Sequence, residues 1–217
     1  MNEGESRFRF ELQLLAAGCT SIAGVDEAGR GPLAGPVVAA AVVLPTAWIQ
    51  GGLPQPLRGL NDSKQLSPAR RAAFCEFLLA HPEVRSGIAA IEAGEIDTLN
   101  ILRATHRAMG FALAALNPVP DHALIDGLPV PSLPLRHTAL VKGDARSLSI
   151  AAASVLAKVT RDRRMVEFDR AYPGYGFAQH KGYGTAEHLA ALERLGPSPI
   201  HRRSFAPLNR RQGELFP

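Results

Sequence analysis

Residues 24–40 read GVDEAGRGPLAGPVVAA, and this stretch decides which fold the chain adopts. An apolar approach ends in two adjacent carboxylates, Asp26 and Glu27, and a second apolar run follows after several glycines and prolines. Two apolar runs of strand length, separated by a turn rich in glycine and proline, are typical of a β-hairpin. We therefore expect two paired strands, with both acids close to the turn.

Length and composition are those of an ordinary globular protein. The chain has 217 residues, 46% hydrophobic and 20% charged, which is enough to bury a core without disulfides. Cys19 and Cys75 have no metal-binding or redox spacing, so we expect free thiols in a reducing compartment. The N-terminus lacks a signal-peptide pattern, and no apolar stretch reaches membrane-spanning length. We expect a cytoplasmic protein without a membrane partner.

Positive charge is concentrated in the second half of the chain, although the formal net charge is only +4. Residues 142–170 contain seven Lys or Arg against four Asp or Glu, and residues 196–217 contain four Arg against one Glu. A basic half that faces acidic site residues indicates a bound polyanion. A solvated surface explains the charge equally well.

Further elements follow from hydrophobic periodicity and from helix and turn signals. Ser67 and Pro68 have the cap and first-turn chemistry of a helix start, whereas residues 46–64 read as a loop. Other helices are expected at 94–116, 148–172 and 186–195, and three more strands at 84–93, 121–129 and 137–145. This order predicts an α/β fold, a mixed sheet flanked by helices.

Four carboxylates are candidates for one site: Asp26, Glu27, Asp126 and Asp144. We expect Asp26, Asp126 and Asp144 at strand ends, where ligand sites of such sheets gather. Carboxylates packed together resist ionisation unless cations lie among them, and hard divalent ions prefer oxygen ligands. Two such ions about 4 Å apart can hold the attacking and leaving oxygens of a phosphoryl transfer. No His or Cys has zinc spacing, so Mg²⁺ or Mn²⁺ is favoured.

Alternatives remain open for these acids. Asp126 before Gly127 is also a common turn pattern, and Asp144 also suits a helix cap. Because successive side chains of a strand point to opposite faces, Asp26 and Glu27 cannot share a site from regular extended backbone. Either the strand ends or bulges there, or Glu27 approaches from the other side.

Seven motifs in sequence order resemble the type 2 ribonucleases H, and ribonuclease HII in particular. They cover the chain from Ile22 to about Pro207: AGVDEAGRGPLAGPVV, NDSKQLS, DTLNIL, LIDG, VKGDARSLSIAAASVLAKVTRD, YGFAQHKGYGT and HRRSFAP. The resemblance implies a ribonuclease H-like fold with a mixed five-stranded sheet flanked by helices and a small helical C-terminal segment. It also implies cleavage of the RNA strand of RNA–DNA hybrids. Nicking on the 5′ side of a single ribonucleotide in duplex DNA, leaving 3′-hydroxyl and 5′-phosphate ends, is implied as well.

The resemblance assigns roles to individual residues. The four acids stand where the family binds two metal ions, one that activates water and one that stabilises the leaving 3′-oxygen. Gly29, Arg30 and Gly31 match an element that reads the ribose 2′-hydroxyl through main-chain groups, which glycines allow to come close. Tyr183 matches a tyrosine that stacks on the deoxyribose after the ribonucleotide. Phosphate contacts are expected from Arg30 and from Ser63, Lys64, Lys142, Arg146, Ser147 and Lys158.

The expected organisation has three parts: an N-terminal extension over residues 1–20, a catalytic domain over 21–207 with its C-terminal helical segment at about 173–207, and a flexible basic tail over 208–217. In the tail, Gln212, Leu215 and Phe216 resemble peptides that dock on bacterial sliding clamps by inserting apolar side chains into a pocket. A frayed terminus with two accidental hydrophobes is the simpler explanation. We expect a monomer that acts in ribonucleotide excision.

Three other classes of protein would be expected to show different sequence features. Ribonuclease HIII carries an extra N-terminal domain and a lysine in its glycine element, whereas only a short stretch precedes the first strand here and the element is Gly-Arg-Gly. Loss of an acid would favour a catalytically inactive homologue that binds hybrids or junctions, and all four acids are present. A phosphotransferase acting on small nucleotides would need a phosphate-binding loop, and no Gly-x-x-x-x-Gly-Lys-Ser/Thr pattern occurs.

Overall fold

A five-stranded mixed sheet forms the centre of the protein in the computed structural model, which describes residues 7–209. The strands are β1 (Ile22–Ala28), β2 (Val37–Val43), β3 (Arg85–Ile91), β4 (His122–Asp126) and β5 (His137–Leu140). Their order across the sheet is β3-β2-β1-β4-β5. The β1–β2 and β2–β3 pairs are antiparallel, whereas the β1–β4 and β4–β5 pairs are parallel. The predicted hairpin and the predicted mixed sheet are therefore confirmed.

Helices cover both faces of this sheet. In chain order they are α1 (Arg9–Ala16), α2 (Thr46–Gly51), α3 (Pro68–Ala80), α4 (Ala93–Leu99), α5 (Ile101–Ala114), α6 (Leu148–Ala171), α7 (Phe177–His180) and α8 (Ala186–Leu195). One face of β1 and β2 packs against α6, with α3 behind it, and α5 packs on the opposite face of β2 and β3. Because both faces are covered, β2 is apolar throughout and every one of its residues is buried.

Helix starts follow the cap chemistry of the sequence. The Ser67 hydroxyl accepts the N–H of Arg70 at the start of α3, and the Ser147 hydroxyl accepts the N–H of Ile150 at the start of α6. These bonds satisfy backbone donors that the first helical turn leaves without partners. The predicted helices at 148–172 and 186–195 are confirmed to within one residue.

The prediction of a simple loop over residues 46–64 is wrong, because this segment contains α2 and two short 3₁₀ turns. No side chain caps α2, so local chemistry does not mark it. It is held by tertiary contacts, since Ile49 is buried in the core and the Trp48 ring lies 4.7 Å from that of His81.

The single helix predicted over residues 94–116 is divided into α4 and α5 at Asn100. Asn100 has φ of 70°, and its side chain accepts the backbone N–H of Arg103 at 3.1 Å. Asparagine enters this left-handed region more readily than most residues because its side chain bonds to nearby backbone. The apolar period continues across the break, so periodicity alone did not reveal it.

Part of the predicted N-terminal extension packs on the catalytic core. Arg7 donates to the backbone carbonyls of Leu60 at 2.7 Å and Asp144 at 2.8 Å, which belong to two different loops. Glu11 of α1 is fully buried and accepts a 2.6 Å hydrogen bond from the Ser147 hydroxyl. The first helix therefore braces the segments on either side of the candidate site. The domain boundaries themselves stay a prediction.

Three further sequence predictions concern the C-terminal tail, membrane-spanning helices and the cysteines. Gln212, Leu215 and Phe216 lie outside the described residues, so the sliding-clamp hypothesis stays a prediction. Within residues 7–209, no helix has both the length and the apolar composition that crossing a bilayer requires. The two cysteines are free thiols, as expected.

Candidate active site

A cavity of about 340 Å³ opens where β1 and β4 end. Most of the candidate residues line it, although they come from segments far apart in the chain. The candidates that reach it are Asp26, Glu27, Asp126, Asp144, Gly29, Arg30, Gly31, Ser63, Lys64, Lys158 and Tyr183. The fold therefore brings all four acids and the Gly-Arg-Gly element to one place.

Strand register explains why the acids of β1 and β4 meet. The last pair of the parallel β1–β4 ladder is Val25 with Ile125, so Asp26 and Asp126 follow at the same level of adjacent strands. On its other side β1 stays paired with β2 in regular register through Ala28, so the strand neither ends nor bulges at the acids. Asp26 therefore points to the α6 face, and Glu27 reaches the cavity from the α5 face.

Asp144 is not at a strand end, which corrects the sequence prediction. It lies in a 3₁₀ turn, Gly143–Ala145, beyond the end of β5 at Leu140. The turn is fixed to the site because the Gly143 N–H donates to Asp126 Oδ1 at 2.6 Å. A Cβ on Gly143 would lie only 2.7 Å from Ile150 Cδ1, so glycine allows this close approach.

The acids disfavour one another's ionised forms. Burial, followed by the charges of Glu27 and Asp126, raises the pKa of Asp26 well above its usual value. Burial also raises the pKa of Glu27, against the opposing effect of Arg30, whose Nη1 lies 3.3 Å from Glu27 Oε1. The pKa of Asp144 is raised by burial first and then by Asp126 and Asp62.

Buried and half-buried carboxylates that repel one another are a donor set suited to hard divalent cations. Within the described residues, no three His, Cys, Asp or Glu side chains already have metal-binding spacing. The chemistry of the donor set fits divalent ions, because a cation replaces the repulsion among Asp26, Glu27, Asp126 and Asp144 with attraction.

The turn after β1 is held by two buried arginines that the sequence interpretation missed. We call residues 29–36 the glycine loop. Arg161 of α6 donates to the carbonyls of Ala34 and Pro36 in this loop, and Arg202 donates to those of Gly29, Arg30 and Gly35. Both arginines are at most 1% exposed. The loop conformation is thus fixed from inside the protein.

Tyr183 stands over the glycine loop, half exposed, and a Cβ on Gly31 would lie 3.7 Å from its ring. A chain of neutral histidines supports its backbone. The Ser198 N–H donates to His201 Nδ1 at 2.9 Å, which leaves the His201 proton on Nε2. His201 Nε2 donates this proton to His188 Nε2, and the two nitrogens are 3.0 Å apart. His188 Nδ1 in turn donates to the Tyr183 carbonyl at 2.9 Å. This hydrogen-bond chain uses one donor and one acceptor nitrogen of each ring, which is the neutral form of both.

Two serines connect α6 with the segment that carries Lys64. The Ser154 hydroxyl donates to the Ser63 hydroxyl at 2.8 Å, and both side chains are buried. The nearby Ser154 hydroxyl also opposes the rise in the pKa of Asp26. Lys158, one turn further along α6, pairs with Asp162 at 2.7 Å. The cationic side of the cavity is therefore built by α6 and by the 3₁₀ turn Ser63–Gln65.

Three predicted phosphate contacts do not line the cavity. Ser147 is fully buried and its hydroxyl bonds Glu11 and the Ile150 N–H, so its predicted contact with a phosphate is wrong. Arg146 donates to the Val141 carbonyl at 3.2 Å, outside the cavity. Lys142 is exposed beside the Asp144 turn, and its contact stays a prediction.

The missed residues differ in how visible they are in the sequence. Ser154 and Arg161 lie four residues before and three after Lys158 on α6, so the helical period places all three on one face. The prediction that Lys158 belongs to the site therefore also indicates Ser154 and Arg161 as site candidates. Arg202 carries no such signal, because it is 173 residues from Gly29, to which it donates.

The mixed sheet and the carboxylates at its centre define a nuclease with a ribonuclease H-like fold. Comparisons of this chain with known protein families and structures agree. A family model described as Ribonuclease HII matches residues 23–208. Ribonuclease HII of Geobacillus thermodenitrificans is 55% identical over 213 residues, which cover 96% of this chain and 77% of that protein. Ribonuclease HII of Geobacter sulfurreducens is 51% identical over 206 residues, covering 94% and 91%.

A solved structure has the same fold. The crystal structure of ribonuclease H2 from Pyrococcus horikoshii OT3 superimposes with a TM-score of 0.72 at 27% identity, covering 88% of this chain and 96% of that one. The chain belongs to the ribonuclease HII family. It is a metal-dependent endonuclease with ribonuclease H activity on RNA–DNA hybrids. The prediction of ribonuclease HII over ribonuclease HIII is confirmed.

Proposed function

We propose that this enzyme, besides cutting the RNA strand of hybrids, nicks duplex DNA on the 5′ side of a single embedded ribonucleotide. The products would carry a 3′-hydroxyl and a 5′-phosphate. The observation that carries the proposal is the shared cavity of the four acids, the Gly-Arg-Gly element and Tyr183. In this cavity, acids that can cleave a phosphodiester stand beside backbone that can come close to a sugar. Such a site is suited to distinguishing a ribose from a deoxyribose by its 2′-hydroxyl.

Each part of the cavity has a distinct task in this proposal. The unobstructed backbone of Gly29 and Gly31 lets the ribose approach main-chain groups, which hydrogen-bond its 2′-hydroxyl. Tyr183 lies beside this loop and would stack on the following deoxyribose, where an added 2′-hydroxyl would crowd its ring. Lys64, Lys158 and Arg30 provide positive charge for the phosphates on either side of the cut.

Two divalent ions, Mg²⁺ or Mn²⁺, would be held by Asp26, Glu27, Asp126 and Asp144. When bound, they supply an activated water for in-line attack and charge neutralisation for the leaving 3′-oxygen. The protein's own contribution is to hold the acids together on one cavity wall and to fix the Asp144 turn through the 2.6 Å bond from the Gly143 N–H to Asp126.

The test uses an end-labelled DNA duplex with one ribonucleotide, incubated with Mg²⁺ or Mn²⁺, beside an Asp126→Asn control. We expect one nick 5′ to the ribonucleotide, which the control loses, and no cut in the all-DNA duplex. Cleavage of hybrids without any nick at the single ribonucleotide would contradict the proposal. Binding of both substrates without cleavage under either ion would instead favour the catalytically inactive homologue.

Recruitment by a sliding clamp is a separate proposal that rests on the sequence of residues 212–217. Gln212 would make the polar anchor, and Leu215 and Phe216 would enter an apolar pocket. Deletion of these residues should abolish binding to a bacterial clamp and leave nicking of free duplex unchanged. Equal clamp binding by the shortened and full chains would overturn this proposal.

A further inference from the structure

Arg202 and Arg161 are buried cations whose hydrogen bonds go to backbone carbonyls. Within the described residues, no carboxylate lies within 4.0 Å of either guanidinium. Their hydrogen-bond acceptors are five carbonyl oxygens, all from the glycine loop. A buried charge that lost these acceptors would be strongly destabilised, so the loop is held in one conformation.

Arg202 also determines which way the peptide groups at the start of the loop point. It donates to the Gly29 carbonyl at 2.6 Å and to the Arg30 carbonyl at 3.0 Å. In a trans peptide the C=O and the following N–H point in opposite directions. The N–H groups of Arg30 and Gly31 are therefore directed away from Arg202, on residues that line the cavity.

These two N–H groups have no protein partner. Within residues 7–209, neither the Arg30 nor the Gly31 backbone N–H donates a hydrogen bond to another group of the chain. Backbone donors are normally satisfied, and two adjacent free ones beside a cavity are suited to a ligand acceptor. Satisfied carbonyls on the inside and free N–H groups on the outside belong to the same pair of peptide units.

Arg202 is itself held in place by a docked segment. Its backbone N–H donates to the Leu33 carbonyl at 2.8 Å, and its guanidinium lies 5.1 Å from the Phe205 ring centroid. The Asp97 carboxylate of α4 accepts the N–H groups of Arg203 and Ser204, both at 2.9 Å. The side chain therefore enters the loop from a fixed backbone.

We infer that Arg202 is a positioning residue for ribose recognition, which it serves by aiming the Arg30 and Gly31 N–H groups at the sugar's 2′-oxygen. The inference rests on the proposed function, since it concerns how that site selects a ribonucleotide. Arg202 touches no reacting atom in this role. It sets the discrimination between ribose and deoxyribose, and the acids carry out the cleavage.

The experiment compares binding of two duplexes, one all-DNA and one with a single ribonucleotide, in the absence of divalent ions so that neither is cut. We expect the wild type to bind the ribonucleotide duplex more tightly than the all-DNA duplex. In Arg202→Met the ratio of the two affinities should fall about tenfold, which is the effect of about one hydrogen bond. Arg202→Lys, which keeps the charge but not three donors in one plane, should lose most of the wild-type preference too. The core variant Leu78→Ala, destabilised elsewhere, should keep the preference.

Unchanged preference in a folded Arg202→Met protein would overturn the inference, even if both duplexes bound more weakly. If neither Arg202 variant folds, the wild-type amide NMR resonances of Arg30 and Gly31 decide. Shifts specific to the ribonucleotide duplex support the inference, and equal shifts with both duplexes overturn it. Failure of wild type to prefer or nick the ribonucleotide duplex would overturn the proposed function, and this inference with it.

Discussion

The carboxylate cluster and the glycine loop lie on one cavity, but the charged groups of the two regions differ in their hydrogen-bond partners. Burial and mutual repulsion raise the pKa values of Asp26 and Asp144, so the cluster alone is unfavourable. In the glycine loop, carbonyl oxygens accept hydrogen bonds from the buried guanidinium groups of Arg161 and Arg202, although burial lowers the pKa of both arginines. The comparison indicates that bound cations would stabilise the cluster, whereas hydrogen bonds within the protein already fix the conformation of the loop.

Removing a charge from the carboxylate cluster should have the largest effect. Asp26→Asn is expected to lower kcat by roughly 10³-fold or more, because one of the proposed ligands for the divalent ions loses its charge. It should also raise the free energy of unfolding in metal-free buffer, since the pKa of Asp26 is raised by burial and by its acidic neighbours. Steady-state kinetics and denaturant unfolding check the two results, and a less stable variant would contradict this view of the cluster.

The glycine loop should respond in the opposite way, by losing stability. Gly29 has φ of 96°, and an added Cβ would overlap the Arg161 side chain and lie 2.7 Å from the Pro36 oxygen. Gly29→Ala should cost about 3 kcal/mol, from backbone strain and overpacking together. The matched control is Gly18→Ala, with φ of 93° and no atom within 4 Å, which should cost about 1 kcal/mol. Equal costs in urea unfolding would mean that the loop is not tightly packed.

The histidine chain beneath Tyr183 makes part of the stability depend on pH. Burial, followed by the neighbouring His188 and then His180, lowers the pKa of His201 from 6.5 to about 4. The unfolded chain therefore binds more protons between these values, so this contribution is present above pH 6.5 and lost as the pH falls toward 4. It amounts to about 3 kcal/mol.

His201→Gln should therefore unfold with a flatter dependence on pH across that window. The buried acids have raised pKa values and act in the opposite direction, but they are common to both proteins and cancel in the difference. Parallel stability curves for wild type and variant would show that His201 does not titrate as its environment indicates.

Divalent ions should stabilise the cluster by mass action, which is the smallest of these effects. At a Mn²⁺ or Mg²⁺ concentration of about 100 times Kd, wild type should gain about 2.7 kcal/mol. Asp26→Asn should gain less at the same concentration, and Gly29→Ala should gain as much as wild type. Thermal unfolding with and without the ion measures this, and an equal gain in the Asp26 variant would remove that acid from the ligand set.

The sequence predicted most of the fold, because strong local patterns agreed with the final packing. The strands were visible as apolar runs, and α3 had a serine cap that the structure retains. The failures fell where local signals were weak. Helix α2 depends on burial of Ile49, and the break at Asn100 depends on one residue's left-handed backbone.

What the sequence determined by itself was the family, the ribonuclease H-like fold and the choice of four candidate acids, since these are encoded in short ordered motifs. Only the tertiary structure decided that Glu27 reaches the cavity from the far face, that Ser147 is buried, and that Arg202 holds the glycine loop. The physical reason is the separation along the chain over which each interaction acts. Caps and strand patterns act over a few residues, whereas the partners of a buried guanidinium depend on which segments, here 173 residues apart, pack together in the folded chain.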